Sequence, residues 1–222
     1  MQNQRMNKDL VAYYAARASE YEALYARPEC GPEIHRIAGI LQDVFRGKSV
    51  LEVACGTGYW TQQIAQTATS VLASDINAPM LRIAGSKIYP KDRVRFVQDD
   101  IFQSAITGVF DAVFGGFIWS HILLAQLNEF IAVLTGRIQP GGLLVLADNR
   151  FVPGHSTPIA ETDAAGNTYQ LRRLKDNSEH LVLKNFPDQA FFLEKLAGQG
   201  LEVAWIPLHF YWLAVCKRAV VP

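Results

Sequence analysis

No stretch of this 222-residue chain runs apolar for about 18 residues, so no membrane-spanning helix is expected. The charge has no bias either, since Lys plus Arg and Asp plus Glu both number 21. A chain that grips nucleic acid or an acidic membrane usually carries a basic footprint, and none is visible; neither partner is expected. Cysteine is scarce. Cys30, Cys55 and Cys216 are odd in number and far apart. They offer neither a disulfide framework nor metal-ligand spacing, so no metal is expected and the reducing cytoplasm is the expected setting. The opening residues, M-Q-N-Q-R-M-N-K-D, lack the apolar stretch of a signal peptide. Internal repeats, low-complexity segments and charged tails are all missing. Hydrophobic residues make up 50% of the chain, enough for a large core in one domain, with or without an insertion.

What is present is concentrated at Val50–Gly58, V-L-E-V-A-C-G-T-G. An apolar run that reads as a buried strand ends in Gly56-Thr57-Gly58, and a helical segment follows. Strand, glycine turn and helix in that order hold nucleotide-like ligands in α/β proteins. The third position of a dinucleotide G-x-G-x-x-G is here Thr61, which weakens a reading as an NAD site. Two glycines suffice where a chain without a pyrophosphate must pass close to the turn. Asp75 ends the next apolar run, 17 residues after Gly58, near the spacing of a ribose-binding carboxylate. The alternative role for Asp75 is capping of the following helix.

Five segments in order resemble the class I S-adenosylmethionine-dependent methyltransferases of small-molecule type. They are V-L-E-V-A-C-G-T-G; Ser74-Asp75-Ile76-Asn77 with Met80; Phe96-Val97-Gln98-Asp99-Asp100-Ile101; Phe110-Asp111-Ala112-Val113-Phe114; and Leu134 to Asp148 with its Pro140-Gly141-Gly142 turn. The resemblance implies S-adenosylmethionine as cofactor and assigns residues to it. Glu52 would organise the loop and lie near the methionyl ammonium, with Ala54, Gly56 and Gly58 along the methionyl part. Asp75 would bind the ribose, with Ile76 and Met80 beside the adenine. Asp100 would accept from the adenine amine, Asp99 being the register alternative, and Ile101 would cover the ring edge. Gly116 and Phe117, after the fourth strand, would face the methyl group. The N-terminal Y-Y-A-A-R-A-S-E-Y-E resembles a lid helix whose tyrosines, Tyr14 and Tyr21 here, close over the cofactor in the family.

The periodicity predicts helices at 9–26 and from Pro32, the latter with Ile34, Ile37, Ala38, Leu41, Val44 and Phe45 on one face and Gly47 as its stop. Strands follow near 49–53, 70–74, 93–97, 110–115 and 142–147, alternating with helices near 59–68, 78–86 and 123–138. That alternation predicts a parallel sheet with helices on both faces. A helix at 187–200 and strands at 201–206 and 208–217 complete the chain. With the family pattern this becomes a Rossmann-like, doubly wound, seven-stranded α/β sheet, mostly parallel with the last strand antiparallel, plus N-terminal lid helices. It is read as a single domain over 1–222: a lid (1–48), a cofactor-binding core (49–148), an insertion (149–186) and a C-terminal helix and hairpin (187–222). The insertion carries turn signals and two short strand-like runs, Tyr169-Gln170-Leu171 and Leu181-Val182-Leu183. It could shape the acceptor pocket, form a homodimer contact, or be a plain excursion.

Methyl transfer from a sulfonium mainly requires a close, aligned nucleophile, and a general base if the acceptor must lose a proton. His121, after the fourth strand, is the candidate base; a capping or core histidine is its alternative. Trp119, Phe117 and Tyr14 are candidates for an apolar wall. Asp148, Asn149 and Arg150, ending the fifth strand, could also reach the acceptor. No Asn/Asp-Pro-Pro-Tyr/Phe motif follows that fourth strand, which argues against DNA adenine or glutamine as acceptor. Three readings stay open: a methyltransferase acting in line on a small-molecule acceptor, one acting on protein or RNA, and a non-catalytic or dehydrogenase-type protein binding an adenosine cofactor.

Overall fold

The computed structural model describes residues 2–220, with side chains described from Asp9 onward, Leu24 excepted. Helix α1 (Gln2–Arg17) passes into a 3-10 stretch, Ala18–Leu24, and helix α2 spans Gly31–Val44. The single lid helix expected over 9–26 is therefore broken at Arg17. Past that point the chain is drawn onto the domain by Tyr25, which stacks on Tyr59 with centroids 4.1 Å apart. Pro32 sits in the first turn of α2, where a missing N–H costs nothing. Ile34, Ile37, Leu41 and Phe45 fall on one face and are fully buried. Each such side chain contributes about 1.5–3 kcal/mol on leaving water.

The core alternates as expected: β1 (Ser49–Val53), α3 (Tyr59–Ile64), β2 (Ser70–Asp75), α4 (Ala78–Gly85), β3 (Val94–Gln98), β4 (Phe110–Gly116), α5 (Leu127–Gly136) and β5 (Ile138–Asn149). Next come β6 (Glu161–Thr162), β7 (Thr168–Arg173), β8 (Glu179–Leu183), α6 (Gln189–Leu196), β9 (Leu201–Pro207) and β10 (Tyr211–Arg218). The main sheet has seven strands in the order β3-β2-β1-β4-β5-β10-β9. β1 to β5 pair in parallel, and β10 runs antiparallel to both of its neighbours. Val50, Val71, Phe114 and Val145 pack under α2 and α3 on one face. Leu51, Val113, Leu144 and Trp212 pack under α5 and α6 on the other. The order reverses direction at β1, beside β4, so the carboxyl ends of β1, β2 and β4 open a crevice there.

Several boundaries differ from the expected ones. Helix α3 stops at Ile64 rather than 68, and Arg93 Nη1 donates to the carbonyls of Ala65, Gln66 and Ala68 at 3.2–3.3 Å. One guanidinium thus satisfies acceptors that a longer helix would have used internally. The residues before α5 form a 3-10 turn, because Leu124 N–H is taken by the side chain of Asn167 at 2.8 Å. β5 begins four residues early: Ile138 pairs with Phe110 across a bulge, and a Cβ at Gly142 would lie 2.7 Å from Asp111 O, so only glycine fits. In the insertion, β6, β7 and β8 form a separate three-stranded sheet, with Tyr169 paired to Leu183 and Leu171 to Leu181. Among the described residues no helix is long and apolar enough to cross a membrane.

Candidate active site

A cavity of about 280 Å³ lies over the carboxyl ends of β1, β2, β3 and β4. Tyr14, Tyr21, Ala54, Gly56, Asp75, Ile76, Met80, Asp99, Asp100, Ile101, Gly116, Phe117 and His121 all line it. Glu52 and Gly58 do not. Gly58 has φ +79°, and a Cβ there would run into the Tyr89 hydroxyl and into Ala84, so this glycine serves the packing of the turn. Glu52 lies buried beneath the loop, 2% exposed, and its Oε2 has no hydrogen-bond partner. Burial pushes its carboxyl up to about 8.

Asp75 is buried, and each carboxylate oxygen accepts one backbone N–H: Oδ2 from Gly56 and Oδ1 from Asn77, both at 2.8 Å. It is therefore not the helix cap; Asn77 occupies that position. The two bonds fix the carboxylate across the crevice and leave lone pairs for a ligand's hydroxyl groups. Burial still raises its pKa. Asp100 caps a 3-10 turn by accepting from Phe102 N–H at 3.0 Å, and Asp99 accepts from Ala105 N–H at 2.9 Å. Both face the cavity, so the geometry leaves the register between them open. Ala54 and Phe117 carry left-handed φ values of 53° and 62° at the ends of β1 and β4. Such backbone strain costs about 1–3 kcal/mol per residue and collects at ligand sites.

The lid closes this crevice. Tyr14, Tyr21 and Tyr25 form an edge-to-face series, with Tyr25 also 6.0 Å from Phe117. Thr57 Oγ1 donates to Glu22 Oε1 at 2.6 Å, and Glu22 also pairs with Lys87. Glu22 thereby ties the lid to the glycine loop and to the segment that follows α4.

His121 is held at both ring nitrogens. Nδ1 lies 2.7 Å from Leu183 O, which can only accept, so Nδ1 carries the proton. Nε2 lies 2.7 Å from the Tyr14 hydroxyl and accepts from it. Burial, then the charge of Lys184, lowers the imidazole to about 3, so it is neutral. Burial raises the Tyr14 phenol well above its ordinary value, so it keeps the proton it donates. Leu183 is itself anchored by its neighbour: Lys184 Nζ donates to Asp148 Oδ1 at 3.0 Å and Ser120 Oγ at 2.6 Å in a fully buried cluster. Trp119 does not reach the cavity. It is 1% exposed and packs among Phe130, Phe192 and Trp212 in the core.

A second chamber of about 110 Å³ adjoins the first and shares Tyr14, Tyr21, Phe117 and His121 with it. Its remaining walls come from the lid, the end of β5 and the insertion. Asn149 and Arg150 line it; Arg17, Arg27, Arg172 and Lys184, absent from the sequence-based candidates, line it too. Their sequence separations carry no motif, and only the fold collects them. Glu29, Cys30 and His155 also meet at its edge, where His155 uses Nε2 toward Cys30 Sγ (3.8 Å) and Nδ1 toward Glu29 (3.9 Å).

The sheet order, the glycine turn and the strand-end carboxylates define an α/β protein of the Rossmann-like class with a cavity at the carboxyl ends of its strands. Residues 50–142 match the family model of the methyltransferase domain. Malonyl-acyl-carrier-protein O-methyltransferase of Priestia megaterium is 27% identical over 165 residues, 72% of this chain and 54% of that protein, so the match spans about half that relative's length. Demethylmenaquinone methyltransferase of Corynebacterium urealyticum is 27% identical over 173 residues, 73% of this chain and 72% of that protein. Among solved structures, DhpI in complex with SAH superposes with a TM-score of 0.80 at 27% identity, covering 96% of this chain and 97% of that one. Over residues 50–142 the chain therefore resembles the methyltransferase domain, and over nearly its whole length it shares the fold of a protein solved with SAH and with SAM.

Proposed function

We propose that this enzyme methylates a small-molecule acceptor bound in the lid-side chamber, by in-line displacement on a cofactor bound in the larger one. The observation that supports this is the shared wall: Tyr14, Tyr21, Phe117 and His121 line both chambers, so ligands in the two would meet there. The second chamber, about 110 Å³, suits an acceptor of few heavy atoms better than a polymer. The relatives' names give a carrier-bound malonyl group and a demethylmenaquinone. They do not agree on one acceptor, so the acceptor is argued from the chamber.

The residues present fit the cofactor, because Asp75, buried at the cavity wall and held by the N–H groups of Gly56 and Asn77, keeps lone pairs for ribose hydroxyls beside Ile76 and Met80. In this reading Asp75 takes the ribose hydroxyls, Ile76 and Met80 flank the adenine, and Asp100 or Asp99 accepts from its amine, with Ile101 at the ring edge. Ala54 and Gly56 line the methionyl part, and Gly58 holds the turn. S-adenosylmethionine supplies an electrophilic methyl group on a positively charged sulfur. The chain's own task is to align the acceptor and keep water out, which is worth about 7–11 kcal/mol when the geometry is right. His121 fixes the Tyr14 hydroxyl at the junction of the chambers, where it can orient the acceptor.

The test is calorimetric binding of S-adenosylhomocysteine to the wild type and to Asp75→Ala, with NAD as control. Asp75→Ala should weaken binding by tenfold or more, about 1.4 kcal/mol. Binding of NAD alone would sink the assignment of this site.

A further inference from the structure

The lid-side chamber is lined by Arg17, Arg27, Arg150, Arg172 and Lys184, and by no aspartate or glutamate. Lys184 is already paired with Asp148. Among the described residues, none of the four arginines has a carboxylate within ion-pair distance. Their neutral partners occupy only part of each donor fork. Arg17 donates to the Tyr13 hydroxyl at 3.0 Å and lies 5.7 Å from the Tyr21 ring; Arg150 donates to Leu208 O; Arg172 donates to Gln170 Oε1. A guanidinium has five N–H donors, so most remain available. The four come from the lid, the end of β5 and β7, and the fold brings them to one chamber. Burial lowers the pKa of the Arg172 guanidinium, and the charges of Arg17 and Arg27 push the same way. Like charges gathered without counter-charges are unfavourable unless a ligand supplies the opposite sign.

We propose that the acceptor is a small oxyanion, a carboxylate or a phosphonate or phosphate ester, gripped by these arginines, and that one of its own oxygens takes the methyl group. Guanidinium forks match such groups with paired hydrogen bonds. The inference rests on the methyltransferase reading above. In the transfer, an oxygen lone pair of the anion forms the new O–CH3 bond, and the electron pair of the methyl–sulfur bond stays on sulfur. No proton is released. The oxyanion loses one negative charge as the sulfonium becomes a neutral thioether. A base is then unnecessary, in keeping with an imidazole whose Nδ1–H is committed to Leu183 and whose Nε2 is committed to Tyr14. The less charged ester is also held less firmly by the arginines, which favours its release.

The experiment is calorimetry on the enzyme saturated with S-adenosylhomocysteine. The probes are short carboxylates, short phosphonates and phosphate monoesters, each beside a neutral amide or ester of the same size. At least one anion class should bind tenfold or more tightly than its neutral counterpart, and the class that binds identifies the oxyanion. Binding should weaken tenfold or more in Arg172→Gln and in the exposed Arg27→Gln, and should weaken with added salt. Both variants should bind S-adenosylhomocysteine within threefold of the wild type, which separates a damaged fold from a damaged chamber. If the wild type fails to bind S-adenosylhomocysteine, the methyltransferase reading falls. If it binds while no anion is preferred, or while both arginine variants behave as wild type, the oxyanion inference alone falls. At saturating cofactor, turnover of a bound carboxylate, ionised throughout, should be flat between pH 6 and 8.5, and that of a phosphonate or phosphate ester should follow only its own second ionisation. A tenfold rise per pH unit beyond this would mean a hydroxyl losing its proton, and would overturn the assignment of the nucleophile.

Discussion

Glu52 should make cofactor binding a proton-linked event. Its carboxyl is buried under the glycine loop, has an oxygen without a partner, and is pushed up by burial to about 8. Below that pH it is neutral. A cationic group bound in the cavity above the loop favours the ionised form, so binding drives a proton off. If the complex needs the carboxylate, affinity follows the ionised fraction of the free protein. That fraction is about 1% at pH 6 and about half at pH 8, so affinity for S-adenosylhomocysteine should rise roughly 50-fold, about 2.3 kcal/mol. Calorimetry in two buffers of different ionisation enthalpy should find close to one proton released per ligand at pH 6.5. Glu52→Gln should bind more weakly at pH 8, with little pH dependence. Stability has the opposite sign. The folded pKa is raised above the open-chain value of 4.5, so the folded protein holds the extra proton. Stability is unaffected below about 4.5, falls as pH rises toward 8, and the loss approaches roughly 5 kcal/mol above that. Glu52→Gln should remove that fall and melt higher than wild type at pH 8.5. A pH-independent affinity in the wild type, or one that drops between pH 6 and 8, would refute this chain of reasoning.

Three further perturbations test the supports of the site. Tyr14→Phe deletes the donor to His121 Nε2 and leaves a buried acceptor unpaired, a cost of about 1–3 kcal/mol; turnover should fall more than S-adenosylhomocysteine affinity, read by steady-state kinetics beside calorimetry. Lys184→Met strands the Asp148 carboxylate, which is fully buried, and should cost about 3–5 kcal/mol, or roughly 10 °C in melting temperature; a melting point within 2 °C of wild type would contradict the buried pair. Glu22→Gln weakens the tie among the lid, Thr57 and Lys87, and should speed S-adenosylhomocysteine release about tenfold in stopped-flow measurements without a comparable fall in melting temperature.

What the sequence discloses and what it hides follow from how far each signal reaches along the chain. The cofactor crevice is legible because its parts are local: a strand end, a turn and the next strand end, each within one βαβ step. Asp75 could be found by counting from Gly58, and the fold brings its carboxylate to the backbone of Gly56. Helix ends were less legible, since they depend on distant partners. Arg93 terminates α3 from beyond β2, and Asn167 shapes the start of α5 from within the insertion. The role of His121 was half visible. Its place after β4 could be read, but its protonation state depends on Leu183 O and Tyr14, 62 and 107 residues away.

The lid-side chamber is hidden for a different reason. A balanced charge of 21 against 21 removes any basic footprint from the composition, yet net charge reports a sum and says nothing about segregation. Arg17 and Arg27 belong to the lid, Arg150 to a strand end, and Arg172 to the small sheet of the insertion. Their acidic counterparts lie elsewhere: Glu22 on Lys87, Asp111 on the Ser49 backbone and hydroxyl, and Glu33 on the backbone of His209 and Phe210. The carboxylates thus serve as structural acceptors while the guanidinium groups are left facing one cavity. A neutral chain can therefore carry a cationic chamber, provided that its insertion and its lid both fold against the β4–β5 end of the sheet. Replacing the arginines of either wall should abolish anion binding while leaving Asp75 and the strand-end crevice in place.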